Sequence, residues 1–224
     1  KNLCEIGGLP LIAYKAISAL KSDYCSKAIL SSEDSEIQHI GHKYGLDTPF
    51  MRPAELASDI ASSDDVLCHA MAYVSKNDRK VYDAVMLLEP STPFATQYHY
   101  NKAVELMIKN KASLVTGVCV HKINRCFIAP MDDSNRITCM INQFMDMDRL
   151  DRQAQMKDYT LNGAFYLLSW DYFKKYKNRY RDPRNSYGLI MDPYESVEID
   201  EPIDLEWAQF LVDNNHINLK HWKI

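Results

Sequence analysis

Apolar positions along the chain change their spacing in a regular order, and this order predicts alternating helices and strands. Four segments carry apolar side chains at helical spacing, as expected for helices packed on one face. Three shorter runs are continuously apolar, which is typical of strands buried on both faces. The predicted helices cover residues 10–21, 33–45, 63–74 and 96–110, and the predicted strands cover residues 27–32, 82–89 and 113–120. This alternation favours an α/β fold with a mostly parallel central sheet.

The carboxyl ends of the predicted strands are where we expect the chemistry of the protein. Sheets of this kind bind ligands at that edge. Ser31, Ser32 and Glu33 lie at and just after the end of the first predicted strand, and Glu89 stands at the end of the second. The sequence therefore predicts a polar site that these residues share.

The pattern breaks after residue 120. Residues 121–160 combine methionines with mixed charge and show no clean period. They could form an irregular arm that reaches a second subunit, since methionine fills irregular contacts well, or an ordinary surface insertion. A strand is predicted again over 161–169. The last helix, behind Pro202, is predicted to bury Ile203, Trp207, Ala208, Leu211 and Val212.

Composition narrows the function classes. The 224 residues carry a net charge of −4, which gives no bulk electrostatic reason to bind nucleic acid. No apolar run approaches the roughly 20 residues of a membrane span. The six cysteines are widely spaced without a C-x-x-C pair, so a zinc cluster is a poor interpretation. Reduced thiols suggest a cytoplasmic protein.

Two acids one residue apart stand near the last helix, in "YESVEIDEPIDLEWA". If the chain is extended there, Glu198 and Asp200 project to the same side of Ile199. Like charges this close repel unless a positive group lies between them, and a divalent cation with oxygen ligands would satisfy both. The alternative is a solvated strand end before a helix N-terminus, where acids suit the helix dipole.

Six stretches in order make the chain resemble the acylneuraminate cytidylyltransferases, which are CMP-sialic acid synthetases. They are "KN…GGLPLIAY", "SSEDSEI", "RPAELASDIASSDDV", "LLEPSTPF", "RQ" followed by "NGAFY", and "SVEIDEPID". The resemblance implies a single domain over 1–224 with the three-layer fold of nucleotide-diphospho-sugar transferases. It also implies transfer of cytidylate from the co-substrate CTP to an acidic nine-carbon keto-sugar, with release of pyrophosphate.

The resemblance assigns a nucleotide role to four residues. Lys1 and Asn2 match the pair that ends the family's phosphate signature, and an ammonium is a suitable point charge for phosphates. Arg52 and Ser63 match positions associated with the nucleotide, although Arg52 could be an ordinary surface arginine. The resemblance also implies that the native protein is longer, with a first strand and a glycine-rich phosphate loop ahead of Lys1.

The same resemblance places Mg²⁺ on Asp200 and Glu198 and gives these two acids, with Lys1, the catalytic role. Mg²⁺ binds through one or two carboxylates plus phosphate oxygens and keeps several waters. Glu198 stands where the family usually has Asp, so the reach of this ligand differs by one methylene.

For the sugar, the resemblance selects residues in two of the matched stretches. A guanidinium suits the sugar carboxylate, and Tyr166 could equally be a core aromatic residue. The residues implied to bind the sugar are Glu89, Arg152, Gln153, Asn162 and Tyr166.

Departures from the family pattern leave the identity of the sugar open. Glu89 replaces a glutamine, which removes a donor and adds a charge, and Ala95 and Thr160 replace arginines. The alternatives are a non-catalytic relative that binds a sugar or nucleotide, and a synthetase for the eight-carbon keto-sugar acid. The resemblance also implies a homodimer that pairs through residues 121–160.

Overall fold

The computed structural model describes residues 1–58, 60–123, 125–145 and 157–223. Within these ranges the α-helices are Leu11–Leu20 (α1), Ser35–Lys43 (α2), Ser63–Asn77 (α3), Gln97–Asn110 (α4), Thr138–Met145 (α5), Trp170–Tyr176 (α6) and Pro202–Asp213 (α7). The strands are Glu5–Ile6 (β1), Leu9–Pro10 (β2), Ala84–Leu87 (β3), Leu114–Val120 (β4), Tyr159–Ser169 (β5) and Ser186–Ile190 (β6). Across these described ranges, no helix is both long enough and apolar enough to cross a membrane.

The central sheet has four strands in the order β3-β5-β4-β6. Strand β5 pairs antiparallel with β3 on one side and with β4 on the other, whereas β4 and β6 are parallel. Three of the four strands therefore run in one direction, and β5 alone runs against them. The sheet is mixed, and β5 lies between two strands that precede it in the chain.

Both faces of the sheet are buried, which makes the three layers. Along β5, Phe165 and Leu167 pack into a cluster with helix α4, whereas Tyr166 and Leu168 pack into a cluster with helices α3 and α6. Successive side chains of a strand point to opposite faces, so this alternation places one helical layer on each side. The predicted α/β fold with three layers is confirmed.

The helices predicted in the first half all form, but one predicted strand does not. Ile29 makes a single parallel bridge to Asp47, with hydrogen bonds from Leu30 N to Asp47 O and from Asp47 N to Ala28 O. One bridge does not extend into a ladder, so the prediction of a strand over 27–32 is wrong for the described sheet. Strand β6 and helix α6 were not predicted.

Helix α7 buries a different face from the predicted one. Ala208, Leu211 and Val212 are buried as expected, but Ile203 is 61% exposed and Trp207 is 46% exposed. The helix turns Leu205 towards the core in their place. Spacing alone cannot distinguish these two faces, because they share most of their buried residues.

The excursion over 121–160 is described as far as residue 145 and from residue 157. It contains a short 3₁₀ helix at Arg125–Phe127 and helix α5, which meet through the rings of Phe127 and Phe144 at 5.2 Å between centroids. Residues 146–156 lie outside the described residues. The prediction that this segment forms a dimer interface stays a prediction.

Candidate functional site

A bulge in the central strand β5 shapes the site. Thr116 of β4 faces Tyr166, but Val118, two residues on, faces Leu161. Four residues of β5, 162–165, therefore lie opposite a single residue of β4. Bulges of this kind leave the ladder and redirect side chains, and they recur next to active sites.

Asn162 holds the bulge in place from inside. Its side-chain Nδ2 donates to Ser196 Oγ at 2.9 Å, and its Oδ1 accepts from Ala164 N at 3.1 Å. The side chain is 3% exposed and lies over Gly117, where a Cβ would approach Oδ1 to 2.4 Å. These contacts give Asn162 a structural role, and the sugar-binding role implied for it stays a prediction.

Gly163 presents bare backbone to two carboxylates. Its φ of +65° lies in the left-handed region, which glycine adopts without strain. A Cβ built there would lie 3.4 Å from Glu198 Oε1 and 3.8 Å from Glu89 Oε2. Thr92 Oγ1 donates to the Gly163 carbonyl at 2.8 Å and ties this turn to the loop after β3. The bulge thus brings Glu89 and Glu198 to one place.

The acid pair alternates as the sequence predicts, although no strand is assigned there. Val197 and Ile199 are buried, and Glu198 and Asp200 are exposed on the opposite side. The segment is anchored by a hydrogen bond from Ile199 N to Ser91 O at 2.8 Å. The two acids therefore project together beside the Glu89 loop.

Charge repulsion within this acidic group is visible in Glu198. Burial, followed by the charges of Asp200 and Glu89, raises the pKa of the Glu198 carboxyl, while Lys1 acts in the opposite direction. Lys1 Nζ forms an ion pair with Asp200 Oδ1 at 2.6 Å, and both side chains are partly exposed. Three carboxylates thus share a small region with one nearby lysine on its rim.

The acidic group suits a hard cation only with help from a ligand. The described residues contain no cluster of three or more His, Cys, Asp or Glu side chains arranged to hold a metal ion. Two carboxylates on one side of the chain, Glu198 and Asp200, still match the donor set of Mg²⁺, which takes its remaining oxygens from water and phosphate. Burial and then the charges of Asp200 and Glu89 raise the pKa of Glu198, and both effects would be offset by a bound cation.

Arg52 and Ser63, the two residues of the "RPAELASDIASS" stretch expected at the nucleotide, reach the strand ends. Arg52 Nε donates to Ser31 Oγ at 3.2 Å, and a second guanidinium nitrogen donates to the Ser31 carbonyl. The third guanidinium nitrogen, Arg52 Nη1, lies 3.6 Å from Glu33 Oε2. Ser63 Oγ donates to Glu89 Oε1 at 3.2 Å. The cap of α3 is Ser62 and not Ser63, which leaves the Ser63 hydroxyl to make this contact.

A cleft of about 970 Å³ is bordered by Ser31, Arg52, Ser63 and Glu89. Its walls include β3 on one side and residues 28–30 on the other, and β3 is an edge strand of the described sheet. The polar residues that line it include Asn2, Lys15, Ser31, Arg52, Ser63 and Glu89. The expectation that a further strand belongs to this sheet stays a prediction.

Lys15 is a site residue that the sequence interpretation missed. It lies on α1, is 4% exposed, and donates from Nζ to the Ala164 carbonyl at 2.7 Å. Burial lowers the pKa of Lys15 to about 7, and the charge of Glu89 acts in the opposite direction. The available signal was a lysine on the same helical face as Leu11 and Ile12.

Tyr166 faces the opposite side of the sheet from Phe165 and joins the core with α3 and α6. The guanidinium of Arg179 lies 4.6 Å from the centroid of its ring and donates from Nε to Asp64 Oδ1 at 2.7 Å. Burial raises the pKa of the Tyr166 hydroxyl. The structure thus uses the ring as a core aromatic group, and its implied sugar contact stays a prediction.

The remaining predicted positions divide into three cases. Arg152 and Gln153 lie outside the described residues. Ala95 is fully buried next to the start of α4, and Thr160 is exposed on β5 opposite Cys119. The structure therefore brings together Lys1, Asn2, Arg52, Ser63, Glu89, Glu198 and Asp200, and it keeps Ala95 and Tyr166 in the core.

Curated proteins resemble the chain over nearly its full length. It is 31% identical to a pseudaminic acid cytidylyltransferase of Campylobacter jejuni, over 96% of this chain and 90% of that protein. It is 30% identical to an N-acylneuraminate cytidylyltransferase of Escherichia coli, over 93% of this chain and 47% of that protein. It is 27% identical to a CMP-N,N'-diacetyllegionaminic acid synthase of Legionella pneumophila, over 96% of this chain and 90% of that protein.

Solved structures agree on the fold. A CMP:2-keto-3-deoxy-manno-octonic acid synthetase with bound CTP matches with a TM-score of 0.67 at 13% identity, over 96% of this chain and 92% of that one. A 4-diphosphocytidyl-2C-methyl-D-erythritol synthase of Anaerococcus prevotii matches with a TM-score of 0.65 at 13% identity, over 95% and 93%. No protein-family model matches the chain.

We expect Gly163→Ala to lower the free energy of unfolding by about 1 kcal/mol, because a side chain in the left-handed region is strained. Urea unfolding monitored by circular dichroism measures the change. Gly8→Ala is the comparison and should lose a similar amount, since Gly8 has a positive φ of +80° with no atom within 4 Å of its Cβ position and therefore reports backbone strain alone. An unchanged stability in Gly163→Ala would contradict the bulge geometry.

We expect the free energy of unfolding of the wild type to rise with pH from about 7 to about 10, relative to Lys15→Met. In this window the unfolded lysine, with a pKa of 10.5, holds a proton that the folded lysine, with a pKa of about 7, has released. Unfolding therefore takes up a proton, and lower pH favours it. Urea titrations across this range test the difference, and a difference independent of pH would contradict a buried, titrating Lys15.

Proposed function

Because the chain belongs to the acylneuraminate cytidylyltransferase family of nucleotidyltransferases, we propose that it transfers CMP from CTP to a nonulosonic acid. The anomeric hydroxyl oxygen of the sugar forms a bond to the α-phosphorus of CTP. The bond from that phosphorus to the bridging oxygen of the β-phosphate breaks, pyrophosphate leaves, and the hydroxyl proton is released. The observation that carries this proposal is the group of Lys1, Glu89, Glu198 and Asp200 around the β5 bulge in a chain of this family.

The nucleotide is proposed to bind along the polar wall of the cleft. Arg52 and Ser31 are already joined by hydrogen bonds, so the guanidinium is held before a ligand arrives. Ser63 is the first residue of α3, at the helix end where backbone N–H groups and the helix dipole favour negative charge. Lys1 adds a mobile positive charge that can move from Asp200 to the phosphates.

Glu198 and Asp200 are proposed to hold Mg²⁺. When bound, the ion neutralises charge that develops on the triphosphate oxygens. The carboxylates are placed for this by the buried Val197 and Ile199, which fix the direction of the exposed pair. Lys1 pairs with Asp200 in the free protein and keeps that carboxylate compensated until the substrates bind.

A nine-carbon sugar acid is the proposed acceptor, and the eight-carbon acid is less favoured. The relatives with 27% to 31% identity are named for neuraminic, pseudaminic and legionaminic acids. The octonic acid synthetase is similar at 13% identity, which concerns the fold alone. Glu89 accepts hydrogen bonds and donates none while ionised, so it favours a sugar that offers a hydroxyl or amide N–H at this point.

Release of pyrophosphate tests the proposal. The protein is mixed with CTP, Mg²⁺ and one acid from a panel of neuraminic, legionaminic, pseudaminic and eight-carbon keto-sugar acids. Release with a nine-carbon acid supports the proposal and identifies the sugar. A folded protein that binds CTP without releasing pyrophosphate with any of the acids would support the non-catalytic alternative.

We expect Asp200→Asn to abolish Mg²⁺-dependent turnover while the fold survives, since the two side chains have the same shape and the amide is a weak Mg²⁺ ligand. A loss of about 100-fold or more in kcat is expected, as measured by pyrophosphate release across a Mg²⁺ titration. Glu206→Gln is the control, because Glu206 is an exposed acid on the helix that follows the acid pair. Full turnover in Asp200→Asn would contradict the metal assignment.

We also propose a homodimer that pairs through the excursion. Its described part exposes apolar side chains, and patches of this kind mark protein interfaces. They include Ile128 at 50%, Met131 at 59% and Ile141 at 46% exposure.

We expect light scattering at micromolar concentration to show a dimer, and Ile141→Asp to shift it towards monomer. A charge buried in an apolar interface is unfavourable, so this variant weakens association. Ile203→Asp on the exposed face of α7 is the control and should stay dimeric. A monomeric wild type would contradict the proposal.

A further inference from the structure

Lys15 is a cationic residue beneath the site. None of the sequence stretches that resemble the family calls for a cation at this position. Helix α1 is mostly apolar on this side, with Leu11, Ile12 and Ala19 buried. The lysine spans the layer between α1 and the sheet and reaches the β5 backbone at Ala164. An ammonium removed from water in this way is strongly unfavourable unless an acid compensates it.

Glu89 is the acid in a position to compensate it. Lys15 Nζ donates a hydrogen bond to the carbonyl oxygen of Ala164. Glu89 Oε2 lies 3.8 Å from the position that a Cβ atom would take on Gly163, the residue before Ala164. The two side chains thus approach the same two residues of the bulge. Among the described residues no ion pair within 4.0 Å joins them, but both line the same cleft, and the charge of Glu89 raises the pKa of Lys15 against the larger effect of burial.

The other groups around Lys15 leave Glu89 as its compensating charge. The ring of Tyr100 on α4 lies with its centroid 6.0 Å from Lys15 Nζ, and burial raises the pKa of its hydroxyl, which therefore stays neutral. On the strand side, Ala164 contributes a carbonyl. Glu198 lies next to Gly163, and Asp200, two residues further along the chain, forms an ion pair with Lys1.

We propose that Lys15 is a positioning residue for Glu89, and that its buried ammonium is the counter-charge that lets a carboxylate stand in a site for anionic substrates. The proposal deepens the proposed function and rests on it. CTP and a sugar acid both bring negative charge to a region that already holds three carboxylates. Lys1 compensates Asp200 from the rim, and Lys15 compensates Glu89 from below. Positions 15 and 89 therefore act as one unit.

A double-mutant cycle on pyrophosphate release tests the unit. At about pH 6, where the folded Lys15 with its pKa of about 7 is mostly protonated, Lys15→Met leaves Glu89 uncompensated and should raise the KM for CTP and for the sugar about tenfold, with a smaller change in kcat. Glu89→Gln removes the charge, and the double variant should recover most of the lost affinity. Lys21→Met at the exposed end of the same helix is the control. Equal KM values in Lys15→Met and the double variant would overturn the proposal.

The titration of Lys15 tests the pair without any turnover. Carbon-13 NMR of labelled lysine follows its ε-carbon in the wild type and in Glu89→Gln, which keeps Lys15 in place and does not depend on a Lys15 variant folding. The Lys15 pKa should fall by about half a unit or more when the Glu89 charge is removed. An unchanged pKa would overturn the proposal. If the wild type releases no pyrophosphate with any sugar, the proposed function fails. The titration still tests whether Lys15 and Glu89 interact.

Discussion

The bulge in β5 is the constraint on which the rest of the site depends. Four residues of this strand oppose one residue of β4, so the backbone leaves the ladder in the middle of the sheet. A break in a central strand needs other partners for its polar groups. The Asn162 amide, the Thr92 hydroxyl and the Lys15 ammonium supply them, and each reaches the bulge from a different part of the chain. The site therefore forms only when the chain is fully folded.

Charge is the second organising property of the site. Glu89 and Glu198 converge on Gly163, and burial together with the charges of Asp200 and Glu89 raises the pKa of Glu198. The protein compensates from two directions, with Lys1 on the exposed rim and Lys15 in the buried layer. The exposed ion pair of Lys1 is weak and easily exchanged, whereas Lys15 is buried and held by its hydrogen bond to the Ala164 carbonyl. This difference suits a rim lysine that can move to a substrate and an inner lysine that stays in place.

Membership of the family accounts for the reaction class, and the departures from the family pattern concern the sugar. Glu89 lies in the site and bonds to Ser63, so its replacement of a glutamine changes the surface a substrate meets. Ala95 is different, because it is fully buried beside α4. A position that looks equivalent in sequence can therefore belong either to the site or to the core. Glu89 is the departure for which the structure provides a direct chemical consequence.

The sequence by itself determined the helices α1 to α4, the buried strands β3 to β5, and the common side of Glu198 and Asp200. These features depend on the spacing of apolar side chains within one segment, which local geometry decides. Motif order likewise identified Arg52, Ser63 and the acid pair as neighbours in one site. The tertiary structure alone decided which face of α7 is buried, that residues 27–32 make a single bridge, and that Tyr166 joins the core. It alone placed Lys15 beneath Glu89, since the contact joins residues far apart in the chain through a bulge that no local pattern encodes.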